Sequence, residues 1–405
     1  MTFFYCNFCF FVLKYRQQNE SENIMTEKLY DIDSHLYEFS ATVVSCEKTE
    51  GGYAVVLDRT AFFPEGGGQL ADTGRIGDVN VTDVQINEEI FHYTDGPLEV
   101  GREYPCALDR EKRFRRMQNH SGEHILSGIV YKLYGYANVG FHMGSEDITV
   151  DYSGPLTREQ IAEIERLCNV AVSENLEITA VYPEPEELAK MTYRSKLELT
   201  ENVRIVTVEG YDACACCAPH VSRTGEIGII KLLDSEKSKG GARIHLLCGF
   251  DALDDYNARY RMIADAAKSL SIKQNDLGNA VSRMEKEISD LKFKMYALRQ
   301  ELIAYKTAEI PETDGNICFF EEELNRNDMR EIMNRGIEKC LGACAVFCGS
   351  DEVGYTFVAG SKSLNMTEIA ADLRVKFGAK GGGSPEMIQG SVNATEAQIR
   401  EYFRA

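Results

Sequence analysis

REKRFRRMQNHSGEHILSGIVYKLYG, Arg110–Gly135, is the stretch on which the reading of this chain turns. It reads as one long helix that stops at Gly135, the residue type that most readily ends a helix. His120 and His124 stand four apart in it. On a helix that spacing brings both imidazoles out on one face. A second pair, Cys216 and His220 in CCAPH, repeats the spacing. One thiolate and three imidazoles are a tetrahedral donor set suited to zinc. The chain has seven histidines, and three of them sit in these two pairs, which separates the set from chance surface histidines. Cys214 and Cys217 compete with Cys216 for the thiol position. The first pair also fits H-x-x-E-H, the pattern of inverted zinc proteases, with Glu123 as general base.

Working outward, residues 25–110 alternate apolar and polar residues in short runs: FSATVVSC, YAVVLDRT, VTDVQI and EYPCALD. The turn signals TEGG, PEGGGQ, DTGRIGD and DGPLEVG separate them, so this part is β-rich, a barrel or a sandwich. Residues 111–255 mix helices and strands: REQIAEIERLCNVAVSENL is a second helix, and VRIVTVEG and EIGIIKLL are strands. Over 256–306, Leu270 and Leu277 are seven apart. Val281, Met284, Ile288, Leu291, Met295, Leu298 and Leu302 then follow at alternating steps of four and three. That spacing keeps an apolar seam on one side of a coiled-coil helix; Gln274 interrupts it once. The seam serves either a partner helix of the same chain or a homodimer. Residues 307–405 close the chain as an α/β domain with strands CAVFCGSD and YTFVAGS, a helix MTEIAADLRVKFG, the segment AKGGGSPEMIQGSV and a last helix ATEAQIREYFRA.

With 405 residues, 44% of them hydrophobic, the chain can bury two or three cores. No run reaches the roughly 18 apolar residues of a membrane span. Thirteen scattered cysteines, an odd number, fit reduced thiols in a cytoplasmic protein better than a disulfide framework. A formal net charge of −20 argues against a nucleic-acid coat, which needs a basic surface, but it leaves room for local basic rims. No G-x-x-x-x-G-K-[ST] loop is present, so no ATP use is expected. Residues 1–24 are apolar without the basic start or the small-residue cleavage site of a signal peptide. They read as a non-domain extension before Met25.

Three segments in fixed order, LDRTAFFPEGGGQLADTG (Leu57–Gly74), MQNHSGEHILSG and CCAPHVSRTGEIGIIKL, resemble the editing domain of alanyl-tRNA synthetase, and most of all its AlaX-type trans-editing relatives. FGAKGGGSPEMIQGSV resembles the synthetase's DHH-associated C-terminal domain. The resemblance covers roughly residues 28–400 and leaves no room before it for an aminoacylation module. It implies an α+β fold: a β-rich barrel-like domain (25–110), an α/β zinc-containing editing domain (111–255), a coiled-coil helix (256–306) and a C-terminal α/β domain (307–405). It implies zinc on His120, His124, Cys216 and His220, and hydrolysis of mischarged tRNA(Ala), with seryl-tRNA(Ala) first and glycyl-tRNA(Ala) second, without aminoacylation. The family's H-T-A-T-H has become His120-Ser-Gly-Glu-His124, and Cys217 and Ala218 replace two glycines; both changes keep the ligands and bear on specificity.

On this resemblance Glu123 is the expected proton acceptor, or a carboxylate that merely orients an imidazole. Gln69, behind Gly67 and Gly68, is expected to face the substrate. Thr60, Gln69 and Ser121 are the candidates for recognising a seryl hydroxyl. Lys112, Arg113, Arg115 and Arg116, then Lys237, Lys239 and Arg243, are expected along the tRNA, as are Lys380 and Gly381–Gly383 with Gly382 at their centre. Two other classes stay open: a non-catalytic tRNA-binding module with a structural zinc, and the H-x-x-E-H protease. A homodimer would use the 270–302 heptads or the C-terminal domain.

Overall fold

A computed structural model describes residues 26–144, 148–195, 202–238 and 240–404. The extension 1–24 and Lys239 lie outside the described residues. The described chain divides into two compact units that part after Met262.

In the first unit, six strands close into a barrel: Glu38–Thr49, Gly52–Leu57, Ile90–Thr94, Val79–Ile86, Gly74–Ile76 and Glu103–Leu108, in that order around the wall. The alternating runs supply its walls. Val55, Leu57, Ile76, Val84 and Phe62 fill the interior with no measurable exposure. After the barrel, Asp109 caps a helix, Arg110–Tyr134, by accepting from the Lys112 backbone N–H, and Gly135 ends it in the left-handed conformation. A four-stranded antiparallel sheet (Ile230–Ser238, Gly241–Cys248, Ile148–Tyr152, Asn138–Met143) and the helix Arg158–Glu174 pack around it. The capping box of that second helix, Thr157 with Gln160, satisfies two end groups at once. EIGIIKLL is a strand only in its second half. Thr224–Ile227 is a short 3-10 turn, and Gly228, at a φ of 79°, separates it from the strand.

A three-stranded sheet, Ile178–Val181, Ile205–Val208 and Asp212–Ala215, completes the unit. Its last strand approaches the helix Arg110–Tyr134 closely because position 128 is glycine. A Cβ there would run into the carbonyl of Tyr211 and the side chain of Asp212.

The single helix expected over 256–306 is two. One runs Gly249–Ser269, the other Leu277–Ala308. Between them Ser271 takes a φ of 54° and Gln274–Asp276 form a 3-10 turn. The break falls at the polar stretch where Gln274 displaces the seam. In the second unit a five-stranded sheet carries Ile317–Glu321, Ala343–Ser350, Gly354–Ser361, Met387–Val392 and Lys380–Gly383 side by side, with helices against it. The triple glycine is the edge strand of this sheet. Gly381 lies against the backbone of Gln389 and Gly390, where a Cβ has no room, so sheet pairing is one sufficient reason for glycine there. Lys380 and Gly382 are exposed on that edge.

Candidate metal centre

The two pairs meet. His120, His124, Cys216 and His220 place one ligand atom each within 4.8 Å of one another. Nε2 of His120 and of His220 lie 3.5 and 3.4 Å from Cys216 Sγ. The helix supplies two imidazoles on one face, and the loop after Asp212–Ala215 supplies the thiol and the third. Both halves are immobilised by burial: the three histidines are 2–4% exposed.

What turns three rings toward one point is the atom behind each. Nδ1 of His120 sits 2.9 Å from Gln69 Oε1, and Nδ1 of His220 sits 3.0 Å from Ser121 Oγ. Nδ1 of His124 lies at an ion-pair distance, 3.2 Å, from an Asp212 carboxylate oxygen, without the alignment of a hydrogen bond. Arg194 grips that carboxylate with two bonds of 2.6 and 2.7 Å. A ring whose Nδ1–H is engaged keeps its Nε2 lone pair for a metal. Asp212 and Arg194 escape sequence reading because they belong to no spaced pattern. The sole available signal was an aspartate on the strand that leads into the CCAPH segment.

The electrostatics of the cluster are uneven. Burial alone would push the Cys216 thiol up, but the His120 charge and the histidine hydrogen bonds pull it well below its ordinary value. Burial drives His220 down to about 3, His124 adding to the fall and Cys216 opposing it, so this ring is neutral. For His124 burial also acts downward, yet the Asp212 carboxylate and Cys216 raise it well above the ordinary histidine value.

The tight turn Gly66–Gln69 hangs over the centre. Gly67 (φ 61°) and Gly68 (φ 86°) hold conformations that favour glycine. A Cβ on Gly68 would strike Phe141, whose ring lies 5.0 Å from that of His120. Gln69 itself is fully buried. Its Nε2 has no hydrogen-bond partner among the described residues.

Several expected roles fall elsewhere. The Glu123 carboxylate turns away from the cluster and accepts from Ser127 Oγ and, at 2.6 Å, from Asn138 Nδ2. The base of the H-x-x-E-H reading is therefore committed to that network, and Gln69, Ser121 and Asp212 do the orienting expected of it. Ser121 Oγ is taken by His220 and by the Val221 backbone N–H. The Thr60 hydroxyl is inside the barrel on His92 Nε2, 2.8 Å away. Arg113 is fully buried, bound to Asp72 and to the carbonyls of Ser34 and Ala61, and Arg116 is largely buried against Asp72 and the Ala71 carbonyl. Neither is a surface group for RNA. Arg115 is held by Glu111, Asp251 and Asp254, and Arg243 by both oxygens of Asp151 at 2.8 Å. Lys112 and Lys237 remain exposed.

Residues 203–245, which contain Cys216 and His220, match the Threonyl and Alanyl tRNA synthetase second additional domain family. The Alanyl-tRNA editing protein AlaX-L of Pyrococcus horikoshii is 28% identical, over 93% of this chain and 96% of its own length. The Alanyl-tRNA editing protein Aarsd1 of Mus musculus is 34% identical, over 51% of this chain and 55% of its own. The Alanine–tRNA ligase of Ignicoccus hospitalis is 29% identical, over 88% of this chain but 40% of the ligase. The chain thus spans about two fifths of that ligase. It is an AlaX-type homologue, related to the editing domain of alanyl-tRNA synthetase.

Proposed function

We propose that this protein is a zinc-dependent hydrolase that removes serine, and secondarily glycine, from mischarged tRNA(Ala). The convergence of His120, His124, Cys216 and His220 carries the proposal. A tetrahedral zinc with bonds of about 2.1 Å to nitrogen and 2.3 Å to sulfur needs N–S edges of roughly 3.6 Å. The two edges present are 3.5 and 3.4 Å. Zinc bound there would supply a Lewis-acidic centre at the ester.

Water adds to the carbonyl carbon of the aminoacyl ester, the bond to the terminal ribose oxygen breaks, and that oxygen leaves with a proton as the restored hydroxyl. The chain positions the ester and supplies hydrogen-bond donors. With His120 Nε2 turned to the cluster, its Nδ1 carries the proton and Gln69 must present Oε1 to it. The Gln69 NH2 group is thereby left as a buried donor with nothing to bind among the described residues, a costly state that a substrate acceptor relieves. One of its N–H bonds serves the ester carbonyl oxygen, where negative charge develops. The other serves the seryl hydroxyl. Alanine leaves that second donor unpaired, which favours serine by orders of magnitude. Of the three candidates for this recognition, Thr60 is engaged with His92 and Ser121 Oγ accepts from His220 and Val221, whereas the whole Gln69 NH2 group makes no hydrogen bond among the described residues.

Deacylation of seryl-tRNA(Ala) beside alanyl-tRNA(Ala) tests this. Wild type releases serine fast and alanine slowly, and Cys216→Ala is inactive. Gln69→Glu keeps an oxygen toward His120 and retains zinc, but has no amide donor. Its kcat falls about 100- to 1000-fold and its preference for serine shrinks. Zinc bound with seryl-tRNA(Ala) left intact would instead make the protein a binding module with a structural metal.

A further inference from the structure

Behind His124, on the side away from the thiol, lies a part of the centre that no ligand motif records. We propose that Asp212 and Arg194 are a charged positioning relay that sets how tightly the metal centre holds its ion. The inference rests on the metal reading above and adds an inequality to it: the three imidazoles are supported unequally. Gln69 and Ser121 back His120 and His220 with neutral groups. His124 alone of the three is backed by a carboxylate, 3.2 Å from its Nδ1 and 2% exposed.

An ionised carboxylate behind a ring makes the opposite nitrogen a better donor and fixes the ring's plane. A buried carboxylate holds its charge only with a partner. Arg194 is that partner, taking both oxygens in a fork that lysine cannot reproduce. Backbone bonds hold Arg194 in turn: its N–H donates to the Ala213 carbonyl, and its own carbonyl accepts from Ala215 N–H, at 2.8 and 2.9 Å. Gly128, one helical turn beyond His124, gives the Asp212 strand the room to come this close.

His124, Asp212 and Cys214 also lie within 4.8 Å of one another as a triad that shares His124 with the main cluster. Arg194 decides between the two uses. With a guanidinium on both Asp212 oxygens, the triad repels a second cation, and Asp212 serves as support to the first. Arg194 and Asp212 line a cavity of about 670 Å³ with Asn138, Tyr193 and Cys214, so a change at Arg194 opens toward that space and spares the apolar core.

The full-length protein is titrated with zinc against a chromophoric chelator, and the cobalt(II) form is followed by its absorption spectrum. Relative to wild type, Asp212→Asn weakens zinc binding by about 10- to 100-fold and shifts the cobalt bands. Arg194→Lys keeps the charge, loses the fork, and falls between. Glu163→Gln, which breaks an exposed pair with Arg166, leaves both readouts unchanged. Should Asp212→Asn fail to fold by circular dichroism, Arg194→Lys alone decides. Wild-type affinity and spectrum in the folded variants would overturn the relay and leave the metal reading standing. A wild-type protein that binds no zinc would overturn both.

Discussion

The helix Arg110–Tyr134 and the helix Leu277–Ala308 invert what their sequences advertise. The first carries five charged residues among Glu111–Arg116 and further polar residues through Ser127. Even so, Gln118, Asn119, His120, Ser121, Glu123, His124 and Ser127 are all buried. The second has a regular apolar seam, yet Val281, Met284, Ile288, Leu291, Met295, Leu298 and Leu302 stand 44–65% exposed. Burial follows the availability of partners rather than the polarity of a stripe. The first helix is wrapped by the barrel, two sheets and a second helix, whose groups answer its polar atoms one by one. A polar residue can be buried where its hydrogen bonds are met. The seam of the second helix finds no cover among the described residues of its own unit.

The comparison breaks most visibly at Arg113. It is a wholly buried guanidinium, held to Asp72 and two carbonyls. Arg113→Met takes the direct guanidinium bonds from the Asp72 carboxylate, leaving it Arg116 at 3.6 Å, and costs about 3–5 kcal/mol in urea unfolding. Adding Asp72→Asn returns a good part of that loss. A surface arginine on RNA would show neither effect.

His92 sharpens the same point through pH. Inside the barrel it donates from Nδ1 to the Val55 carbonyl, 3.1 Å away, and accepts from Thr60. Burial holds it down to about 4 from an ordinary 6.5. The folded protein therefore refuses a proton that the unfolded chain takes. The stability from the neutral ring is complete above pH 6.5 and is lost as pH falls from there toward 4. Fully expressed, the loss is about 3 kcal/mol. Urea midpoints between pH 7 and 4.5 should decline in wild type, with a shallower slope in His92→Gln.

The smallest effect belongs to the exposed seam. Leu291→Gln and Leu298→Gln, at 56% and 65% exposure, change the unfolding free energy by under about 0.5 kcal/mol in dilute protein. A loss of several kcal/mol that grows with protein concentration would show a second copy covering the seam.

Local physics made much of the molecule legible in advance. Alternation marked the barrel strands, Gly135 marked the end of the central helix, and the repeated four-residue spacing marked the four metal-site residues. Each of these is a property of neighbours along the chain. Gln274 signalled an interrupted seam, but sequence spacing alone did not show that the helix itself ends at Ser269, because the left-handed turn at Ser271 is a choice of the folded backbone.

What the tertiary structure decided was where long-range partners fall. Whether Arg113 meets RNA or Asp72, or Glu123 meets water or Asn138, depends on groups up to 41 residues away. That His124 is backed by Asp212 depends on a strand 88 positions on. The sequence thus determined most of the element types and the four residues that come together in one cluster, since periodicity and side-chain spacing are written locally. The structure alone assigned each polar side chain its counterpart, because a buried hydrogen bond or ion pair is fixed by which distant segments fold against each other.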